Sequence, residues 1–310
     1  MKVVFMGTPD FAVPTLQMLI DNNHEIGLVF TQPDRPKGRG NKVIMSPVKE
    51  LALKYNLEVM QPQRLKAEED CYTAIKNYNP DIIIVVAFGQ ILPESILNIP
   101  KRGCINVHGS LLPKYRGAGP IQWSIIEGEK VTGVTIMYMD KGLDTGDMLY
   151  KKEIIIEETD TAQTLHDKMM VVGAIALEEA LPLIENNTLE REIQNHDKST
   201  YAPMLNKELA KIKWENSASS INNLIRGLNP WPVGYTLYNN QPLKIYKATI
   251  KHLDKTAPIG TILSVDKEGI LVQTGDGQLL IEEMQLPNKK RMLVSEYIKG
   301  NSILAGEILC

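Results

Sequence analysis

Two kinds of hydrophobic pattern divide the chain. From Met1 to about Tyr150, short unbroken apolar runs alternate with helical segments. Val3-Val4-Phe5-Met6 reads as one buried strand, Glu25 to Thr31 as a second, and Asp81 to Ala87 (DIIIVVA) as the clearest. An apolar run without polar alternation is what a parallel strand covered on both faces requires. Gly7-Thr8-Pro9-Asp10 makes a turn, and Asp10 stands where it would cap a helix running to about Asp21. Ser46 and Pro47 supply an N-cap and a first-turn proline for a helix to about Tyr55. Cys104 to His108 is another short strand and Pro120 to Glu127 a helix. Strand, helix, strand in this order predicts a doubly wound parallel sheet of the α/β class.

The pattern then changes. Val131 to Tyr138 and Met148 to Ile156 are β-like, separated by a polar loop from Asp140 to Asp147, and suit antiparallel pairing at one sheet edge. Thr161 to Ile184 predicts a long amphipathic helix, and the polar, aperiodic stretch from Glu185 to Asn206 a linker. Ser217 to Gly227 suggests a short helix with a serine cap and a glycine stop. From Tyr235 onward, short strands broken by Gly and Pro, at Lys244 to Ile250, Thr261 to Val265, Ile270 to Gln273 and Gln278 to Met284, suggest a small β-barrel.

Composition narrows the class. A chain of 310 residues suggests about two domains. With 43% hydrophobic and 23% charged residues it reads as an ordinary globular protein, and no apolar run is long enough for a membrane-spanning helix, so no membrane partner is expected. The opening apolar run breaks at Gly7, too early for a signal peptide. The 3 cysteines, Cys71, Cys104 and Cys310, have no CxxC spacing, which argues against a disulfide framework or a cysteine zinc site and points to a reducing, cytoplasmic setting. Net charge is −3, yet from Lys207 onward 13 Lys and Arg face 10 Asp and Glu, a balance that permits a polyanion there without demanding one.

The densest polar constellation is Asn106-Val107-His108-Gly109-Ser110, where a parallel strand ends. Ligands of open α/β sheets bind outside the carboxyl ends of strands, and alternation puts Asn106 and His108 on one face. An amide donor beside an imidazole suits carbonyl addition; the plain alternative is that both satisfy backbone groups at a strand end. Asp144, in Met139 to Asp147, is either a reactive carboxylate or a turn cap; the acids there do not fit calcium-loop spacing, so no metal is expected. Ser110 to Pro120 joins strand to helix, with Lys114 and Arg116 adding charge; GxGxxG is absent after the first strand, which weakens a nicotinamide reading. Thr31 to Lys42 is long for a strand-to-helix connection and carries Arg35, Lys37, Arg39 and Lys42, so it is either a solvated loop or a nucleic-acid contact. Asn229-Pro230-Trp231-Pro232 either presents an aromatic for stacking on a base or buries the tryptophan at a domain junction, the reading we favour.

These motifs resemble a known family. Gly7-Thr8-Pro9-Asp10-Phe11, Thr31-Gln32-Pro33-Asp34-Arg35-Pro36, Ile105 to Pro113 and Gly142-Leu143-Asp144-Thr145-Gly146-Asp147 look like the methionyl-tRNA formyltransferases, folate-dependent enzymes, and the stretch from Asn229 looks like that family's C-terminal barrel. The likeness runs from about Lys2 to near Leu286, leaving the last 20 or so residues weakly matched. It implies a Rossmann-like formyltransferase domain over 1–188, a linker over 189–208 and an OB-like, tRNA-binding barrel over 209–310. It implies 10-formyltetrahydrofolate as donor, methionyl initiator tRNA as acceptor, and catalysis by Asn106, His108 and Asp144. Asn106 and His108 would hold the oxyanion, with Asp144 orienting His108 and relaying the proton. Ser110, Leu111, Leu112 and Pro113 would line the folate pocket, with Phe88, Gly89, Gln90 and Leu92 as the neighbouring wall. Arg35, Lys37, Arg39 and Lys42 would touch tRNA. A monomer is expected. The same triad serves small-amine folate formyltransferases and formyl-folate deformylases, and the fold alone is open to a non-catalytic RNA-binding protein; the basic loop and the barrel favour the tRNA enzyme.

Overall fold

The computed structural model describes residues 1–37, 42–251 and 256–310, and for Lys37 and Lys42 only the backbone. They form two compact units, one of Met1–Pro120, Val131–Ile155 and His166–Ala202, the other of Ile121–Lys130, Ile156–Leu165 and Pro203–Cys310. Among the described residues no helix is long and apolar enough to cross a membrane.

The first unit is built on a seven-stranded sheet: β1 (Lys2–Gly7), β2 (Glu25–Phe30), β3 (Val59–Met60), β4 (Ile82–Val86), β5 (Cys104–His108), β6 (Val131–Tyr138) and β7 (Met148–Ile155). Their spatial order is β7-β6-β5-β4-β1-β2-β3. The five strands from β5 to β3 are parallel, and β6 and β7 add antiparallel at one edge. Strand order reverses between β1 and β4, so their carboxyl ends, at Gly7 and Val86, flank the crevice where such sheets bind ligands. Val3, Val4, Phe5 and Met6 are all fully buried, as is each side chain of β4 to within 4%, which is why these runs lack polar alternation. Val4, Met6, Leu28, Phe30, Ile83, Val85 and Cys104 share a core with Cys71 and Ile75 of a helix at Glu69–Tyr78.

Helix boundaries follow local chemistry. Ser46 Oγ accepts the Lys49 amide at 3.1 Å and starts the helix Pro47–Lys54, and Ser217 does the same for Ala218–Gly227 through the Ser220 amide at 3.2 Å. Asp10 does not cap the first long helix. Its carboxylate takes the Phe11 amide within a tight turn, and the helix runs Val13–Asp21, with Pro14 in the first turn where no donor is needed. The long helix Ala162–Glu185 lies close on the sheet where Gly173 faces Val107 and Val134.

In the second unit, β8 (Tyr235–Tyr238), β9 (Gln241–Lys251), β10 (Ile262–Val265), β11 (Ile270–Gln273) and β12 (Gln278–Gln285) form an antiparallel sheet in the order β8-β9-β12-β11-β10, and β13 (Met292–Leu293) pairs with β12. Ile245, Ile262, Ile270, Val272, Leu279, Ile281 and Trp214 fill its core. The final residues connect its two edges. Gly306 and Glu307 bond to Ile262, Leu309 to Gly260, and Cys310 exchanges two bonds with Leu237. Trp231 is 54% exposed, so the buried reading of that residue gives way to a presented ring.

The stretch expected to be a featureless linker is built into the first unit as far as Ala202. Tyr201–Ala202 pairs in parallel with Arg116–Gly117, and Gln194 is 97% buried, at 3% exposure.

Candidate active site

Asn106 and His108 project from β5, the strand beside β4. The pairing of β5 with β6 sets Tyr138 opposite Ile105 and Thr135 opposite His108. The loop leaving Tyr138 therefore starts beside the beginning of β5 and must fold back along it for Asp144 to reach His108. Gly146 allows that fold, since a Cβ there would lie 2.0 Å from the Tyr138 carbonyl oxygen. Asp140 Oδ1 accepts the Gly142 amide at 2.9 Å and the Thr145 hydroxyl at 2.7 Å, which closes the turn. Asp140 is thus a capping carboxylate, and no cluster of three or more His, Cys, Asp or Glu suited to a metal occurs among the described residues.

Three side chains from two distant segments meet there. Asp144 Oδ1 accepts from Asn106 Nδ2 at 3.4 Å, and Asp144 Oδ2 lies 3.7 Å from His108 Nδ1. Oδ2 also accepts the Gly117 amide at 2.8 Å. The Asp144 and His108 side chains are 13% and 6% exposed, so the pair sits in a poorly solvated place with one open side.

His108 is oriented by a different group from the one expected. Its Nε2 lies 2.9 Å from the carbonyl oxygen of Tyr115. A carbonyl only accepts, so Nε2 carries a hydrogen and donates. In the neutral ring Nδ1 then holds the lone pair, and it is Nδ1 that faces Asp144. The Tyr115 carbonyl thus favours the tautomer with hydrogen on Nε2, and Nδ1 is the ring nitrogen turned toward Asp144.

The turn after β5 is held from within. Ser110 is fully buried and donates to the Lys114 carbonyl at 2.6 Å. Thr135 donates to the Ser110 carbonyl at 2.7 Å and accepts the Leu112 amide at 3.0 Å. Leu112 packs with Met137 and Met148, and its bond to Pro113 is cis. Of the four residues expected to line a ligand, Leu111 and Pro113 keep partial exposure, while Ser110 and Leu112 turn inward.

On the next strand end, Phe88 and Leu92, expected in the wall of a pocket, lie in the apolar core at 2% and 4% exposure. Gln90 accepts the Leu65 amide and donates to the Pro62 carbonyl, at 2.7 and 2.9 Å. What this turn presents outward is its backbone together with Ala87, Gly89 and Ile91. Period-two alternation ends with β4, so spacing does not say which way these side chains turn.

The basic loop is a hairpin at its root. Arg35–Lys37 pairs antiparallel with Lys42–Ile44. Asp34 accepts from Lys49 Nζ at 2.6 Å and from Gln61 Nε2 at 2.7 Å, and Thr31 and Ser46 join hydroxyls at 2.7 Å. The Lys49 ammonium and the Gln61 amide hold the Asp34 carboxyl below its usual range. Arg35 is exposed and reaches Gln32 at 3.4 Å. Arg39 lies outside the described residues, as do the side chains of Lys37 and Lys42.

The grooves lined by Pro14, Met18, Val171 and Ile175, and by His24, Leu181 and Glu185, contain none of these residues.

Comparison with known proteins identifies the family. Residues 1–181 match the family model described as formyl transferase, and residues 204–302 that of the formyl transferase C-terminal domain. The chain is 59% identical over 309 residues to a methionyl-tRNA formyltransferase of Clostridioides difficile (strain 630), covering 100% of both. It is 56% identical, with the same coverage, to one of Clostridium perfringens (strain 13 / Type A). Among solved structures it resembles WlaRD, a sugar 3N-formyl transferase crystallised with dTDP and 5-N-formyl-THF, with TM-score 0.68, 22% identity and coverage of 94% of this chain and 99% of that one. It also resembles HypX from Aquifex aeolicus in complex with tetrahydrofolic acid, with TM-score 0.62, 16% identity and coverage of 97% and 47% respectively.

Proposed function

The chain belongs to the formyl transferase family, among the methionyl-tRNA formyltransferases, and from that premise we propose which of its residues do the work. The activity is transfer of a formyl group to the amino group of methionyl initiator tRNA. A folate is the co-substrate, and we take its form to be 10-formyltetrahydrofolate. The observation that carries the residue assignment is the meeting of Asn106, His108 and Asp144 at 3.4 and 3.7 Å beside a carboxyl-terminal strand end.

The residues present suit a reduced folate. Ala87 and Gly89, exposed beside the switch point, have φ of 47° and 82°, so a flat heterocycle meets peptide groups and a methyl rather than bulky side chains. Ala87, Gly89 and Ile91 on one side, with Leu111 and Pro113 on the other, would hold it. When bound, the folate supplies the carbonyl carbon to be transferred.

A reference α-amino group has a pKa of about 7.7–8, so a useful fraction of the acceptor is already neutral at physiological pH. The larger tasks are to hold negative charge on the carbonyl oxygen and to move one proton off the attacking nitrogen. Asn106 Nδ2, partly exposed, is the donor for the oxygen. His108 Nδ1 takes the proton from the attacking amine and delivers it to the folate nitrogen as that nitrogen's bond to the formyl carbon breaks, because Nε2 is committed to Tyr115. Asp144 stabilises the charged ring that forms and keeps Asn106 turned with its donor forward. Arg35, with Lys37, Arg39 and Lys42, contributes phosphate contacts from the hairpin, and residues 209–310 take the outer part of the tRNA.

The test is transfer of labelled formyl from 10-formyltetrahydrofolate to charged initiator tRNA, with free methionine as control and formate release without tRNA measured in parallel. His108→Ala should lower turnover by about 10²–10⁴-fold with tRNA binding kept. Normal turnover in that variant removes the assignment, and formate release matching the transfer rate makes the protein a hydrolase.

A further inference from the structure

The segment from Gln194 to Thr200 lies far in sequence from every reacting group, yet its hydrogen bonds end on the backbone that carries Asp144 and on the Tyr115–Arg116 peptide beside it. The Gln194 side chain is 97% buried, at 3% exposure, and has all its bonding capacity in use. Its Nε2 donates to the backbone carbonyls of Asp144 at 2.8 Å and Gly146 at 2.7 Å. Its Oε1 accepts from Arg116 Nε at 3.1 Å and Nη2 at 2.6 Å. The residue after Arg116 is Gly117, whose amide donates to the Asp144 carboxylate. A closed circuit results: Asp144 is tied by its backbone, through Gln194 and Arg116, to the dipeptide that also ties its side chain.

Thr200 does the corresponding work for the imidazole. Its hydroxyl accepts the Tyr115 amide at 2.8 Å and its carbonyl the Arg116 amide at 2.9 Å. Tyr115 has φ of 60° and its carbonyl holds His108 Nε2, so Thr200 fixes the peptide that fixes the ring. Asp144 also has positive φ, 52°, a conformation that its surroundings must hold. Gly117, with φ of 106°, admits the brace: a Cβ there would lie 2.7 Å from the Tyr201 ring and 3.0 Å from the Ala202 carbonyl oxygen.

We propose that Gln194 is a positioning residue for formyl transfer, holding Asp144 at its distance from His108 through the Arg116–Gly117 dipeptide. The inference rests on the role assigned to Asp144 above. Gln194 does not touch substrate. Its removal frees the backbone that carries Asp144, and a misplacement of about 1 Å costs up to about 10²-fold in rate.

Gln194→Met, close in shape but without the bonds, should lower kcat about 10–100-fold and change KM for methionyl-tRNA less than about threefold. Gln194→Glu keeps the acceptor for Arg116 and loses both donors. It sets a carboxylate oxygen against the Asp144 and Gly146 carbonyls, so kcat should fall at least as far as in the Met variant, and a melting curve on each variant shows which of the two is folded for the comparison. A double-mutant cycle separates positioning from general weakening. In an Asp144→Asn background, Gln194→Met should have little further effect on kcat, because the carboxylate it positions is gone. Multiplying losses in that cycle, or wild-type kcat in Gln194→Glu, overturn the proposal. If Asp144→Asn is itself fully active, it is the underlying assignment that fails, whatever Gln194 does.

Discussion

Replacing Asp144 by asparagine removes one charge and almost nothing else, so its effect can be worked from the distances. Asn tolerates positive φ as Asp does, so the backbone at 52° stands. The side-chain oxygen turned toward Gly117 keeps the 2.8 Å bond, and the new amide group then faces Asn106 Nδ2, replacing a weak 3.4 Å contact by two opposed donors. That should cost about 1–2 kcal/mol of stability, a fall of a few degrees in Tm. The kinetic effect is larger. When His108 Nδ1 takes a proton, a positive ring forms 3.7 Å from the carboxylate. At that range and an effective dielectric of about 20, a unit pair is worth about 4 kcal/mol, or about three decades in rate. Single-turnover transfer to charged initiator tRNA, with substrate saturating, reads this directly, and a melting curve on the same sample checks the fold. A rate within tenfold of the parent, in a variant melting within a few degrees of it, would refute the idea that charge on Asp144 supports proton transfer.

Two further outcomes follow from groups away from the reaction. The folded carboxyl of Asp34 sits below its unfolded value, so the stability it contributes is present above about pH 4 and is lost as pH falls through the lowered value; urea unfolding of Asp34→Asn and parent should differ near neutrality and converge toward pH 3, and a gap that stays constant with pH refutes it. Burial pushes the Cys104 thiol up to about 12 and the Cys71 thiol up to about 11, while Cys310 is exposed, so a maleimide at pH 7 should modify one thiol per native chain and three after unfolding; two or more rapid modifications of the native protein count against these environments.

The sheet was readable because its strands are buried on both faces and therefore written as unbroken apolar runs: Asp81 to Ala87 encloses β4, and Val3 to Met6 lies within β1. Asn106 and His108 were readable because β-strand alternation survives to the end of β5. Asp144 stood out on its residues only as one of two open readings, and the resemblance chose between them, since a loop acid has no periodicity to betray it. The hairpin at Arg35–Lys37, the two-residue strand at Val59–Met60 and the brace at Gln194 were not legible at all. Each is made by side-chain or backbone bonds to residues distant in sequence, and a buried glutamine looks the same on paper as an exposed one. Trp231 misled because a large aromatic among prolines usually marks a core, whereas here it faces outward.

The short closing segment of the second unit has a protective consequence. A sheet that ends in β8 on one side and β10 on the other presents two rows of unpaired peptide groups, each a template for a stranger's backbone. Glu307 and Leu309 occupy one row and Cys310 the other, with Tyr238 clasping Glu307 at 2.7 Å. The closing residues thereby leave fewer open peptide groups on either edge for another backbone to join.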